Sequence, residues 1–258
     1  MSWNTIRYGV EAGIARLTLN RPELLNGMNA EMRGEIRQAV IAAGNEARVL
    51  VITGAGRGFC SGQDLGGETD VTRFDLREIL TREYEPMLRA IHDCPIPTIA
   101  AVNGPAAGAG ANVALACDVV IAAESAFFMQ AFSLIGLIPD AGGTYVLPRN
   151  IGFARAMGAA LFADRIPARQ AAEWGLIWET VPDEEFSEHV DRKARLLADG
   201  PTGAYRLIKQ AIRASFDNDL DAQLALEAEL QGLAGRSRDF AEGVQAFNEK
   251  RKPRFEGR

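Results

Sequence analysis

The sequence predicts an α/β fold whose C-terminal part is helical, and three observations predict it. Val49-Leu50-Val51-Ile52, Ile99-Ala100-Ala101-Val102 and Val119-Val120-Ile121-Ala122-Ala123 are short, continuous apolar runs of the kind found in strands covered on both faces. Helix-length segments separate them, so strand, helix and strand recur at moderate spacing. Beyond Asn150 the apolar positions take a mostly helical period.

In chain order, Ala15, Leu17 and Leu19 alternate with Arg16, Thr18 and Asn20, a half-buried strand that stops at Arg21-Pro22. A helix is expected over 29–46. The first apolar run ends in Thr53-Gly54-Ala55-Gly56 and the second in Asn103-Gly104, turns of the kind that carry ligand sites in α/β folds. Between the second and third runs, Ala106-Ala107-Gly108-Ala109-Gly110-Ala111-Asn112 leads into an apolar helix ending near Cys117-Asp118. Its Gly and Ala residues let backbone approach a ligand closely, and a helix start leaves N–H groups without intrahelical partners. Such N–H groups favour an oxygen that gains negative charge. A tight packing turn is the alternative reading of the same residues. Helices are then expected over 151–162, 168–174, 184–198, 204–216, 220–233 and 239–251. Gly200-Pro201 is the strongest breaker among them, dividing a core over 1–200 from a helical region over 201–258.

The chain has 258 residues, 47% of them hydrophobic, enough for a sizeable core. No apolar run approaches the roughly 20 residues needed to span a bilayer. The start, Met1-Ser2-Trp3-Asn4, lacks a basic segment leading into an apolar one, so a cytoplasmic protein without membrane contact is expected. A net charge of -6 argues against general nucleic-acid affinity. Lys250, Arg251, Lys252 and Arg254 form one basic cluster, either a solvated helix end or a group facing a ligand phosphate. Cys60, Cys94 and Cys117 are scattered and lack metal-ligand spacing, and are expected as buried, reduced thiols.

Several catalytic patterns fail. Phe59 breaks a GxGxxG reading of 54–59, and no P-loop follows. Ser61 lacks GxSxG context, and His92 and His189 lie on mixed-polarity helical segments, where surface or capping roles are expected.

Four stretches then point one way: Leu19-Asn20-Arg21-Pro22, the segment 53–65 with Gly58-Phe59-Cys60-Ser61-Gly62-Gln63-Asp64-Leu65, Val102-Asn103-Gly104-Pro105-Ala106-Ala107-Gly108, and Ile138-Pro139-Asp140-Ala141-Gly142-Gly143-Thr144. They resemble the crotonase, or enoyl-CoA hydratase/isomerase, superfamily nearly end to end. Ser237, Asp239, Glu242-Gly243, Ala246-Phe247, Lys250-Arg251, Pro253 and Phe255 are similar to its C-terminal signature. Within it, Ala131-Phe132-Ser133, Gly136-Leu137-Ile138-Pro139-Asp140, Trp174-Gly175 and Leu233-Ala234-Gly235-Arg236-Ser237 resemble the 1,2-epoxyphenylacetyl-CoA isomerases of phenylacetate breakdown.

The resemblance implies a ββα spiral core with a C-terminal α-helical region that packs into homotrimers, often paired as homohexamers. It implies an oxyanion hole from the backbone N–H groups of Gln63 and Ala109. Hydrating members use two glutamates, and those positions hold Asn112 and Phe132, which disfavours hydration by that route. Asp140 falls where single-carboxylate members place their acid/base, with a turn-capping carboxylate as the alternative. Phe132, Leu137 and Ile138 are expected to make its pocket apolar and raise its pKa.

The implied activity is isomerisation of a CoA thioester, either a Δ3 to Δ2 enoyl shift or conversion of a ring 1,2-epoxide to an oxepin. CoA is part of the substrate, and no metal or redox cofactor is required. By the same resemblance the substrate lies along Leu25, Ser61, Asp64, Leu65, Asn112, Phe132 and Ile138, with Asp64 tending to a structural role. The stretch from Asp70 to Ile91 shapes the acyl pocket, and the basic tail meets CoA phosphates of a neighbouring subunit. Rival readings are an enoyl-CoA hydratase, an aryl-CoA dehalogenase with Asp140 as nucleophile, and a non-catalytic acyl-CoA-binding scaffold. The dehalogenase branch carries tryptophan where Phe132 stands.

Overall fold

The three apolar runs form the middle of one sheet in the computed structural model, which describes residues 3–66 and 75–257. Strand β1 (Ile6–Glu11) turns at Ala12-Gly13, both at positive φ, and pairs antiparallel with β2 (Ile14–Leu19). From β2 the sheet is parallel, through β3 (Val49–Gly54) and β4 (Thr98–Val102). A second, three-stranded sheet starts with β5 (Ala106–Ala107), while β6 (Val119–Ala123) returns to the first. Strands β7 (Phe127–Met129) and β8 (Ile166–Pro167) complete the second sheet, and β9 (Glu179–Val181) closes the first in the order β1-β2-β3-β4-β6-β9.

Helix α1 (Ala30–Glu46) starts at Asn29, whose Oδ1 accepts the Met32 N–H at 2.9 Å, an N-cap that satisfies one free donor of the first turn. Helix α2 (Leu76–Ile79) widens into a π-helical turn at Leu80–Tyr84 and continues as α3 (Glu85–His92). Helices α4 (Ala109–Leu115), α5 (Gly143–Phe162), α6 (Ala168–Glu173) and α7 (Asp183–Ala198) follow, then α8 (Thr202–Ala214), α9 (Leu220–Ala234) and α10 (Arg238–Asn248).

The runs are apolar throughout because both faces of the sheet are covered. Leu50, Ile52, Ala100 and Val102 belong to the larger core with Ile36, Met87 and Ile91, whereas Val49, Val51, Ile99 and Ala101 pack with Val190, Ala194 and Ala198 of α7. Alternate residues of each strand thus serve opposite layers.

Several elements differ from the sequence expectation. Strand β1 was not foreseen, because most of its residues face outward and it lacks an apolar alternation. The tract beyond Asn150 is not wholly helical: β8 and β9 are two- and three-residue strands, too short to show a period. Helix α5 begins at Gly143 rather than 151 and bends at Gly152, which has φ 75° and follows Pro148. Gly200-Pro201 does separate α7 from α8. Across that break, Asp118 at the head of β6 receives Lys209 and Arg213 of α8, each at 2.7 Å, as well as the Thr98 N–H at 2.8 Å. No helix among the described residues is long and apolar enough to cross a membrane.

Candidate active site

The second sheet brings the Gly-rich segments together. Isolated bridges pair Met28 with Gln63 and Cys60 with Ala106, and the Ala107 N–H donates to the Cys60 carbonyl at 2.9 Å. The Gly108 N–H donates to the Met129 carbonyl at 2.8 Å, which docks the start of α4 against β7. The chain at Gly62-Gln63 therefore lies beside the chain at Gly108-Ala109. Gly62 has φ 102°, and a Cβ there would lie 3.0 Å from the Ala107 carbonyl oxygen and 3.5 Å from the Ala109 nitrogen. Only glycine combines that backbone conformation with so close an approach.

Among the described residues the amides of Gln63 and Ala109 donate to no acceptor. Ala109 is the first residue of α4, so its N–H has no intrahelical partner. Gly108 enters the helix with φ 52° and ψ −131°, a conformation open essentially to glycine. The Phe132 ring sits 3.9 Å from where a Gly108 Cβ would stand.

Asp140 precedes a tight turn through Ala141 and Gly142, both at positive φ, into α5. Its carbonyl is held at 2.8 Å by the Gly143 N–H and at 2.8 Å by Asn112 Nδ2. Its side chain is half-buried, and Oδ1 is buried without a hydrogen-bond partner. Burial pushes its carboxyl up to about 6, because the charged form loses hydration that no donor replaces. Free N–H groups of this kind can stabilise a developing oxyanion, and a carboxyl with a pKa of about 6 can both accept and return a proton.

A family model described as enoyl-CoA hydratase/isomerase matches residues 9–258. The chain belongs to the enoyl-CoA hydratase/isomerase family. This family member is 58% identical over 258 residues to a Rhodobacter capsulatus protein named "probable enoyl-CoA hydratase", covering 100% of both chains. It is 51% identical over 254 residues to the 1,2-epoxyphenylacetyl-CoA isomerase of Escherichia coli, covering 96% of this chain and 97% of the relative. The crystal structure of an enoyl-CoA hydratase from Bacillus anthracis superimposes with a TM-score of 0.93 at 32% identity, over 99% of this chain and 100% of that one. The expected crotonase-like ββα fold class holds.

Within the family frame, the residues singled out from sequence separate into groups. Gln63 and Ala109 lie on adjoining segments, the Phe132 ring faces Gly108, and Asp140 is tied through its carbonyl to Asn112 of the same helix α4. Asn112 requires correction as a substrate contact: it is 1% exposed, and its amide is engaged within the protein. Besides holding Asp140, its Nδ2 donates to Gln130 Oε1 at 3.3 Å and its Oδ1 accepts from Gln130 Nε2 at 2.8 Å. It positions the turn that carries the carboxylate. Gln130 was missed, although a polar residue directly after Phe127-Phe128-Met129 is a signal for a buried amide.

Ile138 is 78% exposed and Leu137 lies at the surface too, so these two do not bury Asp140 within one chain. Leu25 is half-buried at φ 49°, and its carbonyl accepts the Ser61 N–H at 2.9 Å. Ser61 Oγ donates to the Leu24 carbonyl at 3.1 Å, and Leu65 is 47% exposed, so this loop pair forms an outer rim. Asp64 is structural: Oδ2 pairs with Arg21 at 2.7 Å and Oδ1 accepts the Gly66 N–H at 2.8 Å. The Gly66 amide and Arg21 hold its carboxyl below the usual range, against the opposing effect of burial.

In the basic tail Arg251 is paired within the chain, whereas Lys250, Lys252 and Arg254 are exposed. Arg251 binds Glu242 and Glu249, each at 2.6 Å, and the Arg254 N–H donates to Glu242 at 2.7 Å. His92 pairs with Asp93 and His189 with Glu179, the surface roles expected of them, and the three cysteines are buried free thiols. Residues 70–74 of the stretch expected to shape the acyl pocket lie outside the described residues.

Proposed function

We propose that this protein is a CoA-thioester isomerase that uses one carboxylate, converting ring 1,2-epoxyphenylacetyl-CoA to the oxepin-CoA and shifting Δ3 to Δ2 enoyl-CoA double bonds. The observation that carries this reading is Asp140, a half-buried carboxyl with an unpartnered oxygen and a pKa of about 6, where Asn112 and Phe132 supply no second acid or base. The thioester oxygen receives the amides of Gln63 and Ala109, Asp140 takes a proton from the activated carbon, and the same carboxyl returns it elsewhere on the conjugated system. The 51% identity to the Escherichia coli isomerase supports the epoxide substrate. CoA runs along the rim of Leu25, Ser61 and Leu65, and the working form is a homotrimer or homohexamer.

A second reading, enoyl-CoA hydratase, is favoured by the name of the Rhodobacter capsulatus relative. Phe132 opposes it, because a phenyl ring neither positions nor deprotonates water. Ultraviolet absorption of the conjugated thioester distinguishes the two. With a 3-enoyl-CoA the absorption rises under isomerisation, and with a 2-enoyl-CoA it falls under hydration. Rapid loss of the 2-enoyl signal overturns the isomerase reading, and silence with both, together with tight CoA-thioester binding, favours a scaffold.

A further inference from the structure

The backbone beneath Asp140 places its carboxyl. Oδ1 is buried and accepts no hydrogen bond, so no donor at that oxygen fixes the side chain, and its position follows from the turn that carries it. That turn is costly to hold: Ala141 has φ 49°, a region that residues other than glycine seldom adopt, and Gly142 follows at φ 83°. Two donors on the Asp140 carbonyl offset the cost, the Gly143 N–H and Asn112 Nδ2, each at 2.8 Å. The first belongs to the turn itself, whereas the second reaches it from α4. Gly143 leaves the room for it, since a Cβ there would lie 2.5 Å from Asn112 Nδ2.

Asn112 is oriented in its turn by Gln130. Gln130 Nε2 donates to Asn112 Oδ1 at 2.8 Å and Gln130 Oε1 accepts from Asn112 Nδ2 at 3.3 Å, a reciprocal pair of buried amides. The two ends of an amide are alike in shape and opposite in hydrogen bonding. With the Asp140 carbonyl as a third partner, one orientation of the pair makes every contact donor to acceptor.

Gln130 also follows directly on Met129, whose carbonyl takes the Gly108 N–H at 2.8 Å. The first turn of α4, closed by the Asn112 N–H on the Gly108 carbonyl at 3.3 Å, is therefore fastened at both ends to residues 129–130. Ala109, with its unpartnered amide, lies between those two fastenings.

We propose that Gln130 is a positioning residue for the reaction, acting through Asn112 to tie the Asp140 turn to the helix turn that bears the Ala109 amide. This rests on the isomerase reading above. Gln130 touches no reacting atom; it keeps the acid/base and the oxyanion donor in one fixed relation, so that neither has to be ordered at the moment of proton transfer.

The test is Gln130→Met, which keeps the length of the side chain and removes the amide, assayed on a 3-enoyl-CoA across pH. A misplaced carboxyl lowers kcat about tenfold or more with KM within about twofold. Burial is what raises the Asp140 pKa, so a loosened turn returns water to the carboxyl, and the acidic limb of kcat/KM is expected to move down by about half a pH unit or more, toward the ordinary aspartate range. Gln130→Asn, which keeps an amide but withdraws it by one methylene, serves with the same expected signs if Gln130→Met fails to fold. Wild-type kcat or an unmoved limb in a folded variant overturns the assignment, even where the melting temperature falls, because a pair that only fills the core affects stability alone. Asp140→Asn is assayed in parallel. Its loss of turnover beside an unaffected Gln130→Met overturns Gln130 alone, and its retention of turnover overturns the acid/base reading and Gln130 together.

Discussion

Asp140 carries a cost that its neighbours do not offset. The folded chain holds the Asp140 proton to about pH 6, whereas an unfolded chain releases it near the ordinary aspartate value of about 3.9. The native state therefore binds more protons across that window, and stability falls as pH rises through it and is level above. Asp140→Asn removes the buried charge, so at pH 8 it is expected to stabilise the fold by about 1 kcal/mol after solvent screening, a gain of roughly 2–4 °C in Tm by scanning calorimetry. The same variant is expected to lower kcat by about 10² to 10⁴. In the native enzyme kcat/KM is expected to fall below about pH 6, as the base becomes protonated. A flat profile from pH 5 to 8 would remove Asp140 from proton transfer.

At the scale of elements, the junction between the two Gly-rich segments sets the distance between the free amides. Gly62→Ala puts a Cβ 3.0 Å from the Ala107 carbonyl oxygen on a backbone with φ 102°. We expect it to destabilise the fold by about 1–3 kcal/mol and to lower kcat at least tenfold, measured by urea titration and the ultraviolet assay. The α8 tether makes a separate prediction, because Asp118 is the common acceptor for Lys209 and Arg213. Asp118→Asn leaves those cations unpaired at low exposure and is expected to cost about 3 kcal/mol. Wild-type stability in that variant would show that the helical region is held by other contacts.

Over the whole molecule, large apolar side chains stay exposed on the C-terminal helices, including Ile212, Phe216, Leu220, Phe240 and Phe247, the last at 84%. Surfaces of this kind are characteristically covered by a partner. Sedimentation equilibrium is expected to give three or six copies of the chain, and Phe247→Asp to shift the distribution toward monomer. A monomeric wild-type protein would contradict the proposed assembly.

Local pattern reached part of this arrangement. The buried parallel strands, the Asn29 cap and the breaker at Gly200-Pro201 were legible because each depends on residues adjacent in the chain. The motif around Asp140 was legible through likeness to a family, and its position before Gly142-Gly143 needed no coordinates. The short strands β8 and β9 were not, since two or three residues show no period and exist only through their ladder partners. Nor did the sequence reveal that Asn112 faces Gln130 and the Asp140 carbonyl, or that Ile138 stays exposed, because hydrogen bonding and burial follow from what the fold places alongside. The sequence by itself determined the fold class and the family, and singled out Asp140 as the carboxylate proposed for the chemistry. The tertiary structure alone decided the elevated pKa of Asp140 and its unpartnered oxygen, because desolvation and hydrogen-bond supply are properties of a site assembled from segments far apart in the chain.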